Sequence, residues 1–221
     1  TNFDDNDHRV SADDGEGHDS TESFGASVQV DWQLYNGLLL TSISGYQDWE
    51  NGVSIAADSL PNPVLTSFQV QSNEVTSQEF RVSSPTGDAL EYIAGLYFYS
   101  QNTKYESDGV IGAGANRVFP LPPRLCGGPC AAQAGDNIGS FFDQETRSVA
   151  AYGNLTWHLS DIWDVTAGLR WSRDEKDAFI SHWNAPGNSV PIDRIVFVEN
   201  LVGDKDRSES KTTWSVNTRY N

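Results

Sequence analysis

The stretch Trp163-Asp-Val-Thr-Ala-Gly-Leu-Arg-Trp-Ser-Arg173 decides the fold class of this chain. Apolar and polar residues alternate along it. The apolar set is Trp163, Val165, Ala167, Leu169 and Trp171, and the set between them is Asp164, Thr166, Gly168, Arg170 and Ser172. Because successive side chains of a β-strand point to opposite faces, this pattern predicts a strand with one apolar and one polar face.

The same alternation recurs along the chain and predicts an all-β fold of about seven strands. The predicted strands are 24–34, 38–49, 74–84, 90–105, 146–159, 163–175 and 211–221. These runs are about 11–15 residues long, whereas strands of soluble proteins cluster near 5–6 residues. A tilted strand needs about 9–11 residues to cross the hydrocarbon layer of a membrane. The pattern therefore indicates an antiparallel transmembrane β-barrel segment.

Short and long connections alternate between the predicted strands. The short ones are Tyr35-Asn-Gly37, Pro85-Thr-Gly-Asp88 and Ser160-Asp-Ile162, and the long ones are about 50–73, 106–145 and 176–210. An Asn-Gly pair favours a tight hairpin turn. Structureless loops beyond about 15 residues are uncommon in compact soluble domains. Outer-membrane barrels combine short periplasmic turns with long extracellular loops, which is the arrangement seen here.

The charge balance excludes one class of partner. The chain has 31 acidic and 14 basic residues, a net charge of −17, and binding to a phosphate backbone needs clustered bases. We therefore expect no nucleic-acid partner. Much of the acid lies in residues 4–22, as Asp4, Asp5, Asp7, Asp13, Asp14, Glu16, Asp19 and Glu22. We expect this segment to be a solvated loop. A Ca²⁺ site is the alternative, because Ca²⁺ prefers oxygen ligands. The 12-residue spacing of a calcium-binding loop is absent.

Two cysteines, Cys126 and Cys130, flank a Gly-Gly-Pro sequence. No further zinc ligands lie near them, so we predict a local disulfide, with a free or redox-active pair as the alternative. The four histidines are scattered without zinc spacing. Nucleophile-elbow, dinucleotide-binding and phosphate-loop motifs are also missing. We therefore expect neither an enzyme nor a bound organic cofactor.

The chain contains no run of about 18 apolar residues, so no transmembrane helix is expected. It also carries no N-terminal signal peptide, opens in the acidic segment and stops at Asn221 in the middle of an alternating pattern. We expect it to be part of a longer sequence.

Several strings resemble the barrel wall of proteobacterial TonB-dependent receptors. They are Leu40-Thr-Ser-Ile-Ser-Gly-Tyr-Gln-Asp-Trp49, Ser77-Gln-Glu-Phe-Arg-Val-Ser-Ser84 with Tyr92-Ile-Ala-Gly-Leu-Tyr-Phe-Tyr99, Ala151-Tyr-Gly-Asn-Leu-Thr-Trp-His-Leu-Ser-Asp161, and Thr166-Ala-Gly-Leu-Arg-Trp-Ser-Arg-Asp-Glu-Lys176. Together they comprise 48 of the 221 residues, in the order that the family has them. The resemblance implies a location in the bacterial outer membrane, in contact with lipid and lipopolysaccharide.

The resemblance also implies a function. Members of this family are large barrels of roughly 22 strands closed by a plug domain. They import scarce nutrients such as siderophore-bound iron, cobalamin or glycans, with energy from the TonB–ExbB–ExbD system. No plug and no TonB-contacting segment are recognisable in this sequence. Two alternatives stay open: another outer-membrane barrel, such as an adhesin or assembly component, and a secreted soluble β-sandwich that binds carbohydrate.

Two sets of side chains are candidates for a site. Glu79, Arg81 and Arg170 are expected to face the lumen, because Arg at the lipid midplane costs about 2–4 kcal/mol. Glu79 and Arg81 are expected to pair with each other or with the plug. A ligand vestibule is predicted from aromatic and basic residues near the long loops: Tyr105, Arg117, Phe119, Arg124, Phe141, Phe142, Trp183 and Arg194. In a barrel Val28, Val30, Leu155, Val165, Leu169 and Val216 should be exposed on the lipid side, with Gln29, Asn154, Arg170 and Asn217 opposite.

Overall fold

The computed structural model of the protein describes residues 17–58, 60, 62–115, 133–185, 188 and 202–220. These residues form one sheet in which each strand pairs, antiparallel, with its neighbours in the sequence. The strands are β1 (His18–Gln33), β2 (Leu39–Ala56), β3 (Leu65–Ser83), β4 (Leu90–Ile111), β5 (Asn137–Ser160), β6 (Trp163–Asn184) and β7 (Val202–Tyr220). The single sheet with consecutive order is confirmed. In the same ranges no helix is long and apolar enough to span a membrane.

Tight turns join β1 to β2, β3 to β4 and β5 to β6, as predicted. Gly37 and Gly87 have φ of 82° and 91°, in the left-handed region that glycine adopts without the steric penalty of a Cβ. In the first turn the Leu34 N–H donates to the Leu38 carbonyl at 2.8 Å, and the Leu38 N–H donates to Asn36 Oδ1 at 3.3 Å. Strand ends beside these turns lie within about one residue of their predicted positions, because turn chemistry is local.

The strands extend further than predicted at their other ends. β3 begins at Leu65, β5 at Asn137 and β7 at Val202, about nine residues before the predicted starts at 74, 146 and 211. In these added lengths alternation fails, as in Asp204-Lys-Asp-Arg207. A strand that rises beyond the hydrocarbon layer has water on both faces, so neither face has to be apolar. β5 consequently reaches 24 residues.

The register divides the side chains into two faces. Residues directly opposite each other on paired strands lie on the same face, and neighbours along a strand lie on opposite faces. One face, here called the apolar face, carries mostly apolar side chains. One row across six strands of this face consists of Val30, Ser42, Phe80, Leu96, Ala151 and Trp171. The polar face carries rows such as Asp31, Thr41, Arg81, Gly95, Tyr152, Arg170 and Thr213.

The apolar face bears a continuous band, here called the apolar belt. It runs from Leu90 to Phe98 on β4 and from Val149 to Trp157 on β5. About nine residues span about 30 Å along a strand, which at a tilt of about 40° is roughly 23 Å, close to the apolar band of a membrane barrel. The belt is uncovered. The expected exposure holds for Val28, Val30, Leu155, Leu169 and Val216, and Val165, flanked by Trp157 and Thr218, is half-buried.

Very little of the described chain is buried. The buried apolar residues are Val64, Ile111, Ala115 and Ala150. The first three form a small cluster beside the long connections, with Leu60, Leu65 and Ile138 packed against it. The extensive contacts between elements in the described ranges join neighbouring strands, and the described strands form one sheet without a second sheet facing it. The soluble β-sandwich alternative is therefore wrong, because a sandwich would cover Val30 and Leu169 with a second sheet.

Candidate functional site on the polar face

The centre of the polar face is built around a contact that crosses three strands. Tyr152 on β5 lies directly opposite Gly95 on β4, and Gly95 lies opposite Arg81 on β3. The Tyr152 ring passes over Gly95, and its hydroxyl donates a hydrogen bond to Glu79 on β3. A Cβ built on Gly95 would stand 2.5 Å from both Cζ and Oη of Tyr152. Only a glycine in the intervening strand leaves room for this contact.

Glu79, Tyr97, Tyr152 and Arg170 line one small open cavity on the polar face. The predicted pairing of Glu79 with Arg81 is not formed, because Glu79 accepts the tyrosine hydroxyl instead. The side chains of Arg81 and Arg170 form no ion pair with another of the described residues. The site thus presents the guanidinium groups of Arg81 and Arg170, each with five N–H donors. The nearby Glu79 carboxylate already accepts a hydrogen bond from Tyr152.

Aromatic and amide side chains continue the polar face away from the short turns. Tyr97 and Tyr99 stack with ring centroids 6.5 Å apart and an interplanar angle of 20°. The Tyr99 hydroxyl donates to Gln101 at 2.8 Å, and Gln101 and Thr103 both donate to Asn73 Oδ1, at 2.6 and 2.8 Å. These bonds fix the side chains on β3 and β4 into a polar track with aromatic steps.

The predicted vestibule is divided by the register. Tyr105 and Phe142 lie directly opposite each other, on the same face as Tyr97 and Tyr99. Phe141, the residue before Phe142, lies on the apolar face and packs against Phe179 with ring centroids 6.2 Å apart. The register places Trp183 on the apolar face as well. Phe141 and Trp183 therefore do not join the polar track. Arg117, Phe119, Arg124 and Arg194 lie outside the described residues, as do Cys126 and Cys130.

The acidic segment lies largely beyond the described residues. Asp19 and Glu22 belong to β1, on opposite faces of the sheet, while Asp4, Asp5, Asp7, Asp13, Asp14 and Glu16 are not described. Within the described ranges no group of three or more His, Cys, Asp or Glu side chains is arranged to hold a metal. The Ca²⁺ alternative remains a prediction about the acidic segment.

A network of charged side chains, which sequence reasoning missed, connects β4, β5, β6 and β7 at the short-turn end of the sheet. Asp164 on β6 is 6% exposed. Its carboxylate accepts hydrogen bonds from Arg219 Nη2 on β7 at 2.6 Å and contacts His158 Nδ1 on β5, also at 2.6 Å. His158 Nε2 in turn lies 3.4 Å from Glu91 on β4. Alternation could assign Asp164 to the polar face, but its partners are brought together only by the pairing of four strands.

A single open antiparallel sheet with long strands, one apolar belt and a charged opposite face defines the wall of a membrane β-barrel. The family model described as TonB dependent receptor-like, beta-barrel matches residues 1–221, so the chain belongs to the TonB-dependent receptor family. Barrels of this family are outer-membrane proteins of Gram-negative bacteria. The family consists of receptors rather than enzymes.

A solved structure agrees with this assignment at the level of fold. The chain is similar to the ferric yersiniabactin uptake receptor FyuA from Yersinia pestis, with a TM-score of 0.64 and 16% sequence identity. The match covers 90% of this chain and 25% of the receptor, so the chain spans about a quarter of that protein's length. No curated protein sequence matches the chain significantly.

Proposed function

We propose that this chain forms part of the wall of an active transporter that takes up a scarce nutrient of the siderophore–iron class. The observation that carries the proposal is the two-faced sheet, whose apolar belt matches a membrane in height while its other face carries Glu79, Arg81 and Arg170. Membership of the TonB-dependent receptor family supports nutrient uptake. The name of the similar structure, a ferric yersiniabactin uptake receptor, supports the iron–chelate class.

Under this proposal the polar face lines the lumen. Seven of the described basic residues lie on the polar face: Arg81, Arg170, Lys176, Lys205, Arg207, Lys211 and Arg219. Turning this face to lipid would cost about 2–4 kcal/mol for each base at the midplane. Arg81 and Arg170 then stand free to bind carboxylates of a plug domain or an anionic ligand, and the plug is the element through which TonB–ExbB–ExbD would act.

A ligand vestibule is proposed on the polar face, beyond the centre of the site. Tyr105 and Phe142 lie on the polar face above the stacked Tyr97 and Tyr99. Aromatic faces are suitable surfaces for the flat ring systems of many chelates. The polar track between them offers hydroxyl and amide groups, so a ligand with both aromatic and polar parts fits this wall.

Uptake by cells tests the proposed function. Cells that lack the native gene, with and without the restored receptor, are given ⁵⁵Fe-loaded chelates, labelled cobalamin and labelled oligosaccharides, in strains with and without TonB. We expect uptake of one or more iron chelates that requires both the receptor and TonB. Uptake of cobalamin or an oligosaccharide alone would contradict the iron–chelate class, and uptake that persists without TonB would contradict active transport.

Two adjacent phenylalanines provide a test of the proposed vestibule and a matched control. Phe142→Ala is expected to raise the KM for uptake several-fold, since it removes an aromatic surface from the polar face. Phe141→Ala makes the same change one residue away, on the opposite face, and should leave KM unchanged. Equal effects of the two substitutions would contradict the vestibule.

A further inference from the structure

His158 lies between two carboxylates at the short-turn end of the polar face. Its Nδ1 is 2.6 Å from Oδ1 of Asp164 on β6, and its Nε2 is 3.4 Å from Oε1 of Glu91 on β4. A neutral imidazole has one N–H donor and one lone pair, whereas an imidazolium has two donors. Because a lone pair repels a carboxylate, only the protonated ring can face both acids favourably.

Arg219 on β7 holds Asp164 in its charged form. Its Nε and Nη2 donate to Oδ2 of Asp164 at 2.9 and 2.6 Å, and the hydrogen bonds from His158 and Arg219 lower the pKa of that carboxyl group. Asp88 and Asp161 lie in the two adjoining turns, where both are exposed and neither forms an ion pair with a described residue. The cluster is therefore neutral when the ring is protonated and carries one negative charge when it is not; its members are Glu91, His158, Asp164 and Arg219.

The two contacts of the ring differ in length, and this difference decides which one depends on the proton. The 2.6 Å contact with Asp164 is a short hydrogen bond, whereas 3.4 Å to Glu91 exceeds the usual hydrogen-bond length. A neutral ring would therefore keep its N–H on Nδ1, bonded to Asp164, and turn the lone pair of Nε2 toward Glu91. Loss of the proton breaks the contact with Glu91 and leaves the contact with Asp164 in place.

Glu91 connects His158 to the turn between β3 and β4. Its Oε1, the atom that faces the ring, also accepts the Gly87 N–H at 2.7 Å. The backbone adds a second connection nearby, because the His158 N–H donates to the Ala89 carbonyl at 2.9 Å. The side-chain contact thus joins one short turn to the strand that leads into the next.

His158 lies outside the apolar belt, where it can exchange protons with water. The last belt row at this end includes Trp157 and Val165. His158 follows Trp157 on the opposite face, and its side chain is 31% exposed. The hydrogen bond with Asp164 is the main cause that raises the pKa of His158, and Glu91 raises it further. An ordinary histidine titrates near pH 6.5, so this ring stays charged to a higher pH.

We propose that His158 is a proton-controlled link at this end of the wall: its contact with Glu91 is closed while the ring is an imidazolium and opens when the ring is neutral. Short turns of outer-membrane barrels face the periplasm, so the pH of the periplasm sets the state of the link. The folded protein holds this proton more tightly than the unfolded chain does. The stabilisation is therefore complete below about pH 6.5 and is lost as the pH rises through the folded-state titration of His158.

Hydrogen exchange at C2 of the histidine rings tests the proposal in the native receptor without any substitution. The receptor in lipid vesicles is incubated in heavy water between about pH 5 and 9, and the exchange rate of each ring is measured by mass spectrometry of its peptide. The midpoint for His158 should lie above about pH 6.5. Glu91→Gln should lower that midpoint, because one of the two carboxylates is lost. Asp161→Asn is the matched control: it neutralises an exposed acid of the adjoining turn and should leave the midpoint unchanged.

A double-mutant cycle tests whether the proton controls the link. Thermal midpoints of the wild type, H158Q, E91Q and the double variant are compared at about pH 5.5 and about pH 9. The two substitutions should be coupled at the lower pH and additive at the higher one. The proposal is overturned if the His158 midpoint lies at or below about pH 6.5, if D161N lowers it as much as E91Q, if E91Q leaves it unchanged, or if the coupling is equal at both pH values. These results are independent of whether the receptor transports an iron chelate.

Discussion

Replacing Gly95 by alanine tests the central contact of the polar face. The added methyl group would lie 2.5 Å from Cζ and Oη of Tyr152, whereas carbon atoms in contact are about 3.5–4.0 Å apart. The ring must therefore leave its position, and Glu79 loses the hydrogen bond that it accepts from the Tyr152 hydroxyl. A hydrogen bond to a charged group contributes about 1.5–3 kcal/mol, and alanine regains roughly 0.5–1 kcal/mol over glycine within a strand. We expect a net loss of about 0.5–2.5 kcal/mol.

The assay is guanidinium unfolding of the native receptor in lipid vesicles, followed by far-UV circular dichroism. Gly153→Ala is the matched control, because a Cβ there would meet only the Ile93 carbonyl at 3.8 Å, and it should be neutral or slightly stabilising. In a Tyr152→Ala background the ring is gone, so Gly95→Ala should also become neutral or stabilising. An equal cost of Gly95→Ala with and without the Tyr152 ring would contradict a clash between this ring and the added methyl group.

Three further substitutions probe the two faces and the ends of the sheet. Leu169→Arg should cost about 2–4 kcal/mol of unfolding free energy in vesicles, while Ser215→Arg at the same level of the polar face should cost little; equal losses would contradict the assignment of faces. Asp164→Ala should lower the thermal midpoint, because Arg219 loses its carboxylate partner, and an unchanged midpoint would show that the network does not stabilise this end. Asp58 accepts the Leu60, Val64 and Leu65 N–H groups at 2.8, 3.1 and 2.5 Å, so Asp58→Ala should speed proteolysis of the β2–β3 connection without lowering the global midpoint; unchanged cleavage would contradict this anchor.

The sequence predicts the part of each strand that lipid constrains. Within the belt one face must be apolar, so alternation marks residues such as 163–173 unambiguously, and the short turns mark their own ends through Asn36, Gly37 and Gly87. Beyond the belt both faces meet water. The first nine residues of β7, from Val202 to Ser210, therefore carry charged residues on both sides and give no alternating signal.

The centre of the site was only partly predictable for a different reason. Glu79, Arg81 and Arg170 can be assigned to one face from alternation alone, but the partner of Glu79 depends on the register of three strands. Tyr152 was therefore missed. One local signal was present: a glycine inside a strand, such as Gly95, often marks a close approach by another group. Pairing Gly95 with Tyr152 still required the β4–β5 register, which no short segment encodes.

Two adjacent positions on β6 allow a direct test of which face of the sheet lies in lipid. Leu169→Cys and Arg170→Cys are made separately in a receptor whose Cys126 and Cys130 are replaced by serine, and each is reconstituted in vesicles. We predict that Arg170→Cys reacts readily with a charged, membrane-impermeant maleimide, while Leu169→Cys reacts slowly. A fluorophore attached at position 169 should be quenched by brominated acyl chains, and one at position 170 should not. The reverse pattern, or equal behaviour at both positions, would contradict a wall with its apolar face in lipid and its charged face in the lumen.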